Sequence, residues 1–231
     1  QFQERGVLGV SNGITQNNVA LGYSNGQFNV YEKLYRKFEV KDVRRDWAIA
    51  AYRYAGDNGP DKVNWTDTQI YNRKVGKFRR EYEPVSDKVK NETGTNQPLL
   101  RYADVLLMAA EAENEINGPS AIAYQYLNEV RARAKASLIT GISDRDAFRS
   151  IIQDERYREL CFEGFRRNDL IRWGILVPTM KALANSIAQT APVSFKYASR
   201  AGDNISDKHK YLPIPQRELA LDNLLKQNPG W

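Results

Sequence analysis

Apolar and polar positions recur with helical spacing from Leu99 onward, and before that point they do not. Arg101 to Ile116 reads RYADVLLMAAEAENEI, rich in Ala and Leu and free of Gly and Pro, a composition that favours helix. Asn117-Gly118-Pro119 stops it. Helical patterning resumes at Ser120 and runs to about Ala136, with Ile122, Tyr126, Leu127 and Val130 near one face. Two helices of about 16 residues joined by a short turn predict an antiparallel helical hairpin. Small side chains at Ala109, Ala110 and Ala112 would let its helices approach closely. A third helix is predicted after Ser143, whose hydroxyl can cap it, with Asp144 and Asp146 in the first turn. It is expected to run to about Glu163 and to end at Gly164. Shorter helices follow over 167–173 and about 179–188, and residues 192–231 read as loop apart from a helical turn at 216–222.

Residues 1–97 carry 9 of the 15 glycines, among scattered Asn, Gln, Thr and Tyr. Segments such as Gly6–Gly13 and Leu21–Gly26 read as turns between short extended pieces. Residues 45–54 alternate imperfectly and predict a strand or edge segment, whereas 55–60 and 84–98 are loops. The chain thus divides near Pro98 into a loop-rich segment with an aromatic cluster, 1–97, and a helical region, 98–231. The expected class is mainly α, a tetratricopeptide-like helical hairpin and further helices with extensive irregular loops, folded as one structural unit. No second copy of the hairpin follows it, so no repeat array is contained in these residues.

Composition narrows the chemistry. The 231 residues are 42% hydrophobic and 27% charged, ordinary globular values. No apolar run approaches the length of a membrane span. The start QFQERGVLGV has no Met, no basic stretch and no apolar stretch, and reads as a processed protein or a fragment. A single cysteine, Cys161, rules out an internal disulfide and a multi-cysteine zinc site, and a single histidine, His209, rules out a multi-histidine metal site. Cys161 sits between Leu160 and Phe162 and reads as a small buried hydrophobe. The net charge of +6 is spread evenly, with 16 basic and 12 acidic residues in 1–100 and 18 and 16 in 101–231, unlike the concentrated basic face of a nucleic-acid binder. No glycine-rich phosphate loop occurs, and Asp57, Asn58 and Asp61 lack the spacing of an EF-hand calcium loop. No metal and no cofactor is expected.

The densest charged run is Asp154–Asp169. On a helical wheel Glu155 and Glu159 fall on the apolar face set by Phe148 and Ile152. Two inward carboxylates one turn apart are either a glycosidase pair, held ~5–5.5 Å apart in retaining enzymes, or the centre of a buried ion-pair network. A glycosidase pair must flank the bond it breaks, and both of these stand on one face of one helix. Structural pairing with Arg156, Arg158, Arg166, Arg167 and Arg172 is therefore the expectation, with no catalytic residue.

Twelve aromatic residues lie between positions 23 and 82. Flat rings stack on the C–H faces of sugars, and Tyr and Trp add a hydrogen-bonding tip. Most are expected to pin the irregular segment onto the helices. Those flanking Gly, Asn and Asp turns lack an evident packing role, and loops on a rigid scaffold concentrate binding residues. The expected ligand contacts are Tyr23, Tyr54 and Trp65 as stacking residues, with Asn25, Asp57 and Asn64 as hydrogen-bond partners for hydroxyls.

Several motifs carry a family resemblance: Leu99–Ala112 (LLRYADVLLMAAEA), Tyr126–Ala134 (YLNEVRARA), Asp154–Gly164 (DERYRELCFEG), then Arg167, Asp169-Leu170 and Arg172-Trp173-Gly174. Tyr211–Pro215 (YLPIP), Glu218 and the ending Gln227–Trp231 (QNPGW) follow, with weaker features at Phe38–Arg44 and Gly76–Arg79. Over residues 38–231 this ordered set resembles the C-terminal region of the SusD/RagB family of outer-membrane nutrient-binding lipoproteins. The resemblance implies a lipid-anchored, surface-exposed protein of the outer membrane. Such a protein is non-catalytic and captures a glycan or oligosaccharide ligand for delivery to a SusC-type TonB-dependent transporter. It also implies that an N-terminal half and a lipidated cysteine lie outside this chain, the hairpin being the last pair of an array begun upstream. The family's ligand contacts vary among members, so none is carried over. A helical protein-interaction scaffold and a glycoside hydrolase using Glu155 and Glu159 are the alternative functions.

Overall fold

A computed structural model describes residues 6–83 and 87–231. Residues up to Phe165 form one compact unit and Arg166–Trp231 a second. Both are mainly helical, as the sequence pattern predicts.

The first unit opens with four short helices, α1 (Leu8–Ser11), α2 (Val19–Gly22), α3 (Glu32–Lys37) and α4 (Arg44–Ala48). Strands β1 (Tyr52–Tyr54) and β2 (Lys62–Asn64) then pair antiparallel, with Tyr52 opposite Asn64 and Tyr54 opposite Lys62. The strand expected over 45–54 is thus only its last three residues. The preceding Arg45-Asp46-Trp47 is the body of α4, whose buried residue is Ala48. Much of the rest of the segment is irregular, as expected. It is tied by isolated bridges such as Gln16 to Ser24 and Ile49 to Val75.

Three long helices complete this unit: α5 (Tyr102–Asn117), α6 (Ala121–Arg133) and α7 (Arg145–Glu159). Gly118 ends α5 at φ 75°, a left-handed conformation that costs glycine nothing, and its N–H is donated to Asn114 O. Ser120 Oγ caps α6 by accepting from the Ala123 N–H. The cap of α7 is Asp144, one residue later than Ser143, and its carboxylate accepts from the Ala147 N–H at 2.7 Å. α7 stops at Glu159, short of Glu163, because the chain turns over 160–164 with Phe162 at φ 68° and Gly164 at φ 90°.

Leu106, Leu107 and Ala110 of α5, Leu127 and Val130 of α6, and Phe148 and Ile152 of α7 form one core cluster. Each large side chain buried this way contributes about 1.5–3 kcal/mol. Ala110 gives the close helix approach expected of it, whereas Ala112 and Ile122 lie on the exposed side. A second cluster joins Val30, Leu34, Tyr35, Phe38, Ile49 and Ile70 to Cys161, with Tyr157 and Phe162 packed against it. Rings of the irregular segment thereby anchor it on the end of α7.

The second unit contains α8 (Arg166–Arg172), α9 (Leu176–Thr190), α10 (Arg200–Asp203) and α11 (Gln216–Leu221). α9 begins three residues before the predicted 179, which places Pro178 in the first turn, where its missing N–H has no intrahelical partner to lose. Gly202 lets α10 lie against α9: a Cβ there would strike Met180 O and come within 2.7 Å of the Ala184 Cβ. Much of the loop expected from 192 is wound into 3-10 turns at Val193–Ser199 and Asp207–Lys210 around α10. No described helix is long and apolar enough to cross a membrane.

Candidate functional site

Glu155 and Glu159 point inward from α7 and are almost completely buried. Their charges are answered mainly from other elements. Arg44 of α4 donates from Nε and Nη2 to Asp42 (2.9 and 2.7 Å) and from Nη1 to Glu159 Oε2 (2.8 Å). The same Nη1 lies 2.7 Å from Glu155 Oε1, an ion pair without hydrogen-bond alignment. Arg131 of α6 donates to Glu155 Oε2 at 2.5 Å, and Arg158 adds a third cation at 2.7 Å. Glu159 also accepts from Arg101 at 2.9 Å and from Arg133 at 2.7 Å. Of the arginines expected from local sequence, Arg158 joins this network and Arg156 pairs with Asp104 at 2.7 Å.

The electrostatics follow from these partners. Burial acts to raise the Glu155 carboxyl, but Arg158, Arg44 and Arg131 override it and hold the group below the usual carboxylate range. Burial likewise opposes Arg44, Arg133 and Arg101 at Glu159, with the same net lowering. A glycosidase acid needs a raised value so that it holds a proton at neutral pH. Both of these carboxylates are ionised there, and their oxygens are engaged by arginines. Burial pushes the Cys161 thiol up to about 11, which removes the thiolate a nucleophile requires.

The six expected ligand contacts fall on three neighbouring stretches of the irregular segment. Tyr23 is half-buried, with Lys90 Nζ 5.1 Å from its ring centroid, and Asn25 is exposed. Tyr54 is only 6% exposed: its ring meets Tyr52 edge to face and its hydroxyl donates to Glu81 at 3.4 Å. Asp57 lies in the turn after β1 at φ 57°, and its carbonyl accepts from the Asn17 N–H. Asn64 is exposed at the end of β2. Trp65 is half-buried beside Arg53, whose Cζ is 5.6 Å from the indole centroid, and its Nε1 is shut off from solvent without a partner. Gln16 links the stretches, bridging to Ser24 and donating to Gly59 O at 3.1 Å. Among the described residues no group of three or more His, Cys, Asp or Glu side chains could hold a metal ion.

Six of the twelve aromatics, Tyr35, Phe38, Tyr52, Tyr54, Tyr71 and Phe78, are buried. Two exposed ones form a pair that the sequence reading passed over. Trp47 of α4 and Tyr82 stack at 5.2 Å between centroids and 28° between planes, while remaining 49% and 59% exposed. The Arg79 guanidinium lies 4.7 Å from the Trp47 centroid. The charged neighbours of Tyr82 carry no signal of its exposure, since Arg80 and Glu83 are themselves buried as a pair at 3.0 Å. Beside Trp47 a cavity of about 370 Å³ opens over the ion-pair network.

Residues 30–231 match the profile of the SusD family. The SusD-like protein P25 of Formosa agariphila is 42% identical over 137 residues, which are 58% of this chain and 24% of that protein. The starch-binding protein SusD of Bacteroides thetaiotaomicron is 28% identical over 155 residues, 67% of this chain and 24% of its own length. Among solved structures, a SusD homolog from Bacteroides thetaiotaomicron superimposes with a TM-score of 0.86 at 32% identity, covering 98% of this chain and 48% of that one. The chain thus spans less than half the length of each of these three proteins. The profile match takes in the described helices from α3 to α11, and the SusD homolog superimposes on nearly the whole chain. The chain therefore belongs to the SusD family, the family that its motifs between Phe38 and Trp231 resemble.

Proposed function

We propose that this chain is part of a non-catalytic glycan-capturing protein of the cell surface, lipid-anchored in the outer membrane, that hands oligosaccharides to a SusC-type TonB-dependent transporter. The observation that carries this reading is the membership of a family that includes a starch-binding protein. The locking of Glu155 and Glu159 by arginines supports capture over hydrolysis. The ligand-facing surface is the irregular segment, with Tyr23, Asn25, Asp57, Asn64 and Trp65 as contacts and Tyr54 as a supporting ring packed against Tyr52. Trp47 and Tyr82 add an exposed stack on the same unit.

Calorimetric titration of the full-length protein against starch and β-glucan oligosaccharides, beside a reducing-sugar assay, tests the reading. Binding without release of reducing ends is expected. Hydrolysis that disappears in Glu159→Gln would replace capture with catalysis. The scaffold reading is favoured by one observation, the apolar stripe of Tyr102, Val105, Met108 and Ile116 exposed along α5.

A further inference from the structure

The cavity beside Trp47 is walled by cations. Arg44, Lys77, Arg101, Arg133 and Arg158 line it, against Glu159 and Glu163 as the acidic lining residues. A second hollow of about 260 Å³ shares Arg44, Trp47 and Arg133 with it and continues past Val43 and Ala134. Together they make a groove beside the Trp47 indole.

Charges are layered in this groove. The carboxylates lie at the bottom: the side chains of Glu155, Glu159 and Glu163 are 0%, 2% and 1% exposed. The cations lie above them, with Arg101 at 29% and Arg133 at 59%. The N–H groups of Arg44, Lys77, Arg101 and Arg158 are already donated to these acids, to Asp42 and to nearby carbonyls, so a ligand entering the groove meets uncommitted N–H donors chiefly at Arg133. Low-dielectric walls focus such a field. Arg133 is the cation with the most capacity to spare. Its Nη2 donates to Glu159 at 2.7 Å, and its Nε and Nη1 make no hydrogen bond with a described residue. Glu159 keeps Arg44 and Arg101 when Arg133 turns to a ligand.

We propose that this groove binds an acidic substituent of a glycan, a sulfate ester or a uronate carboxylate, with Arg133 as the principal contact and the Trp47 indole as the apolar wall beside the sugar ring. The inference rests on the glycan-capture reading and names its substrate class. A guanidinium fork suits both oxyanions, since each presents paired oxygens to parallel N–H donors.

The test is affinity electrophoresis of the full-length protein in gels containing polygalacturonate (carboxylate), dextran sulfate (sulfate) or soluble starch (neutral), each at low and at 0.5 M added salt, about where the Debye length falls near 4 Å. Retardation by an acidic polymer is expected, the responding polymer naming the group. Arg133→Gln should weaken it roughly tenfold, the size of one lost charged hydrogen bond, and Arg133→Lys should restore part. Lys196→Gln, an equal charge change on the second unit, controls for general attraction, and thermal melts of each variant control for folding. Equal weakening by Lys196→Gln and Arg133→Gln, or unchanged affinity in folded Arg133→Gln, overturns the proposal. Binding of starch without either acidic polymer overturns it and leaves glycan capture standing; binding of no polymer removes both.

Discussion

Arg131 of α6 donates to Glu155 of α7 at 2.5 Å, and both side chains are sealed from solvent. This contact joins the hairpin to the third helix through charge, at the point where Arg44 of the irregular segment also arrives. Three parts of the chain that are far apart in sequence are thereby held to one carboxylate. Breaking a buried pair by removing one partner costs about 3–5 kcal/mol, because the remaining charge is left uncompensated. Glu155→Ala removes a partner shared by three cations, of which Arg44 keeps Asp42 and Glu159 and Arg131 keeps Glu39, and is expected within that range, as is Glu159→Ala. Urea unfolding followed by circular dichroism measures both. A loss under 1 kcal/mol would show that the network does not hold the unit together.

Acid should dissolve the same network. The arginines hold the Glu155 and Glu159 carboxyls below their unfolded values despite burial. Their contribution is therefore fully present above the unfolded carboxylate range, about pH 4.3–4.5. It is lost as pH falls through the depressed folded values. Melting temperature is expected to hold between about pH 7 and 5 and then to drop steeply toward pH 3. Glu159→Gln should melt lower at neutral pH and show a shallower acid slope, since one of the linked protons is gone. Equal slopes in parent and variant would place the acid sensitivity elsewhere.

The sequence made the helices legible because their signals are local: apolar spacing through Leu106, Leu107 and Ala110, the Asn117-Gly118-Pro119 stop and an acidic first turn at Asp144 and Asp146. It placed Glu155 and Glu159 inward for the same reason. Their partners were not legible, since Arg44, Arg101 and Arg131 come from other elements and only the tertiary fold brings them near. The ring positions failed similarly at Tyr54. Its flanking Gly56 and Asp57 suggested an open turn, yet the alternation of β1 turns both Tyr52 and Tyr54 into a small cluster with Ile14 and Ala50. Trp47 stayed hidden because α4 is short and its residues alternate like a strand.

Cys161 offers a probe of the contact between α7 and the irregular segment. It packs among Val30, Phe38, Ile49 and Ile70, and burial raises its thiol to about 11. At pH 8 the folded protein should react with a disulfide reagent far more slowly than the urea-unfolded chain, with one thiol appearing on unfolding. Prompt reaction in the folded state would mean that this packing opens readily.

The stripe along α5 predicts behaviour in solution. Tyr102, Val105, Met108 and Ile116 follow one another at spacings of three to eight residues on the side away from the core, and all are exposed. Leu99 and Leu100, just before α5, are exposed as well. Contiguous apolar surface of this kind seeks a partner. The isolated chain of 231 residues is expected to bind a hydrophobic dye and to self-associate on light scattering. The double variant Val105→Glu, Met108→Glu should suppress both while leaving the melting temperature nearly unchanged, as expected for exposed positions. A clean monomer without dye binding would show that the face is already covered.

Tyr54 and Trp65 separate support from contact in the proposed ligand surface. Tyr54 is buried against Tyr52 and Glu81, so Tyr54→Ala removes packing and a hydrogen bond together. Truncation of a buried ring costs about 3–5 kcal/mol, and the variant should lose stability first and affinity only as a consequence. Trp65 is half-buried beside Arg53, after a strand whose residues are exposed. Trp65→Ala should cost less stability and act on binding directly. Aromatic stacking is worth roughly 0.5–1.5 kcal/mol beyond area burial, and a sugar contact of similar size gives a loss of a fewfold to about tenfold. Titration of Tyr54→Phe, Tyr54→Ala and Trp65→Ala with an oligosaccharide that binds the parent decides the matter. Tyr54→Phe keeps the packed ring and should bind normally. If folded Trp65→Ala also binds normally, the contact surface shifts to other rings, with the exposed Trp47–Tyr82 stack as the next to be cut.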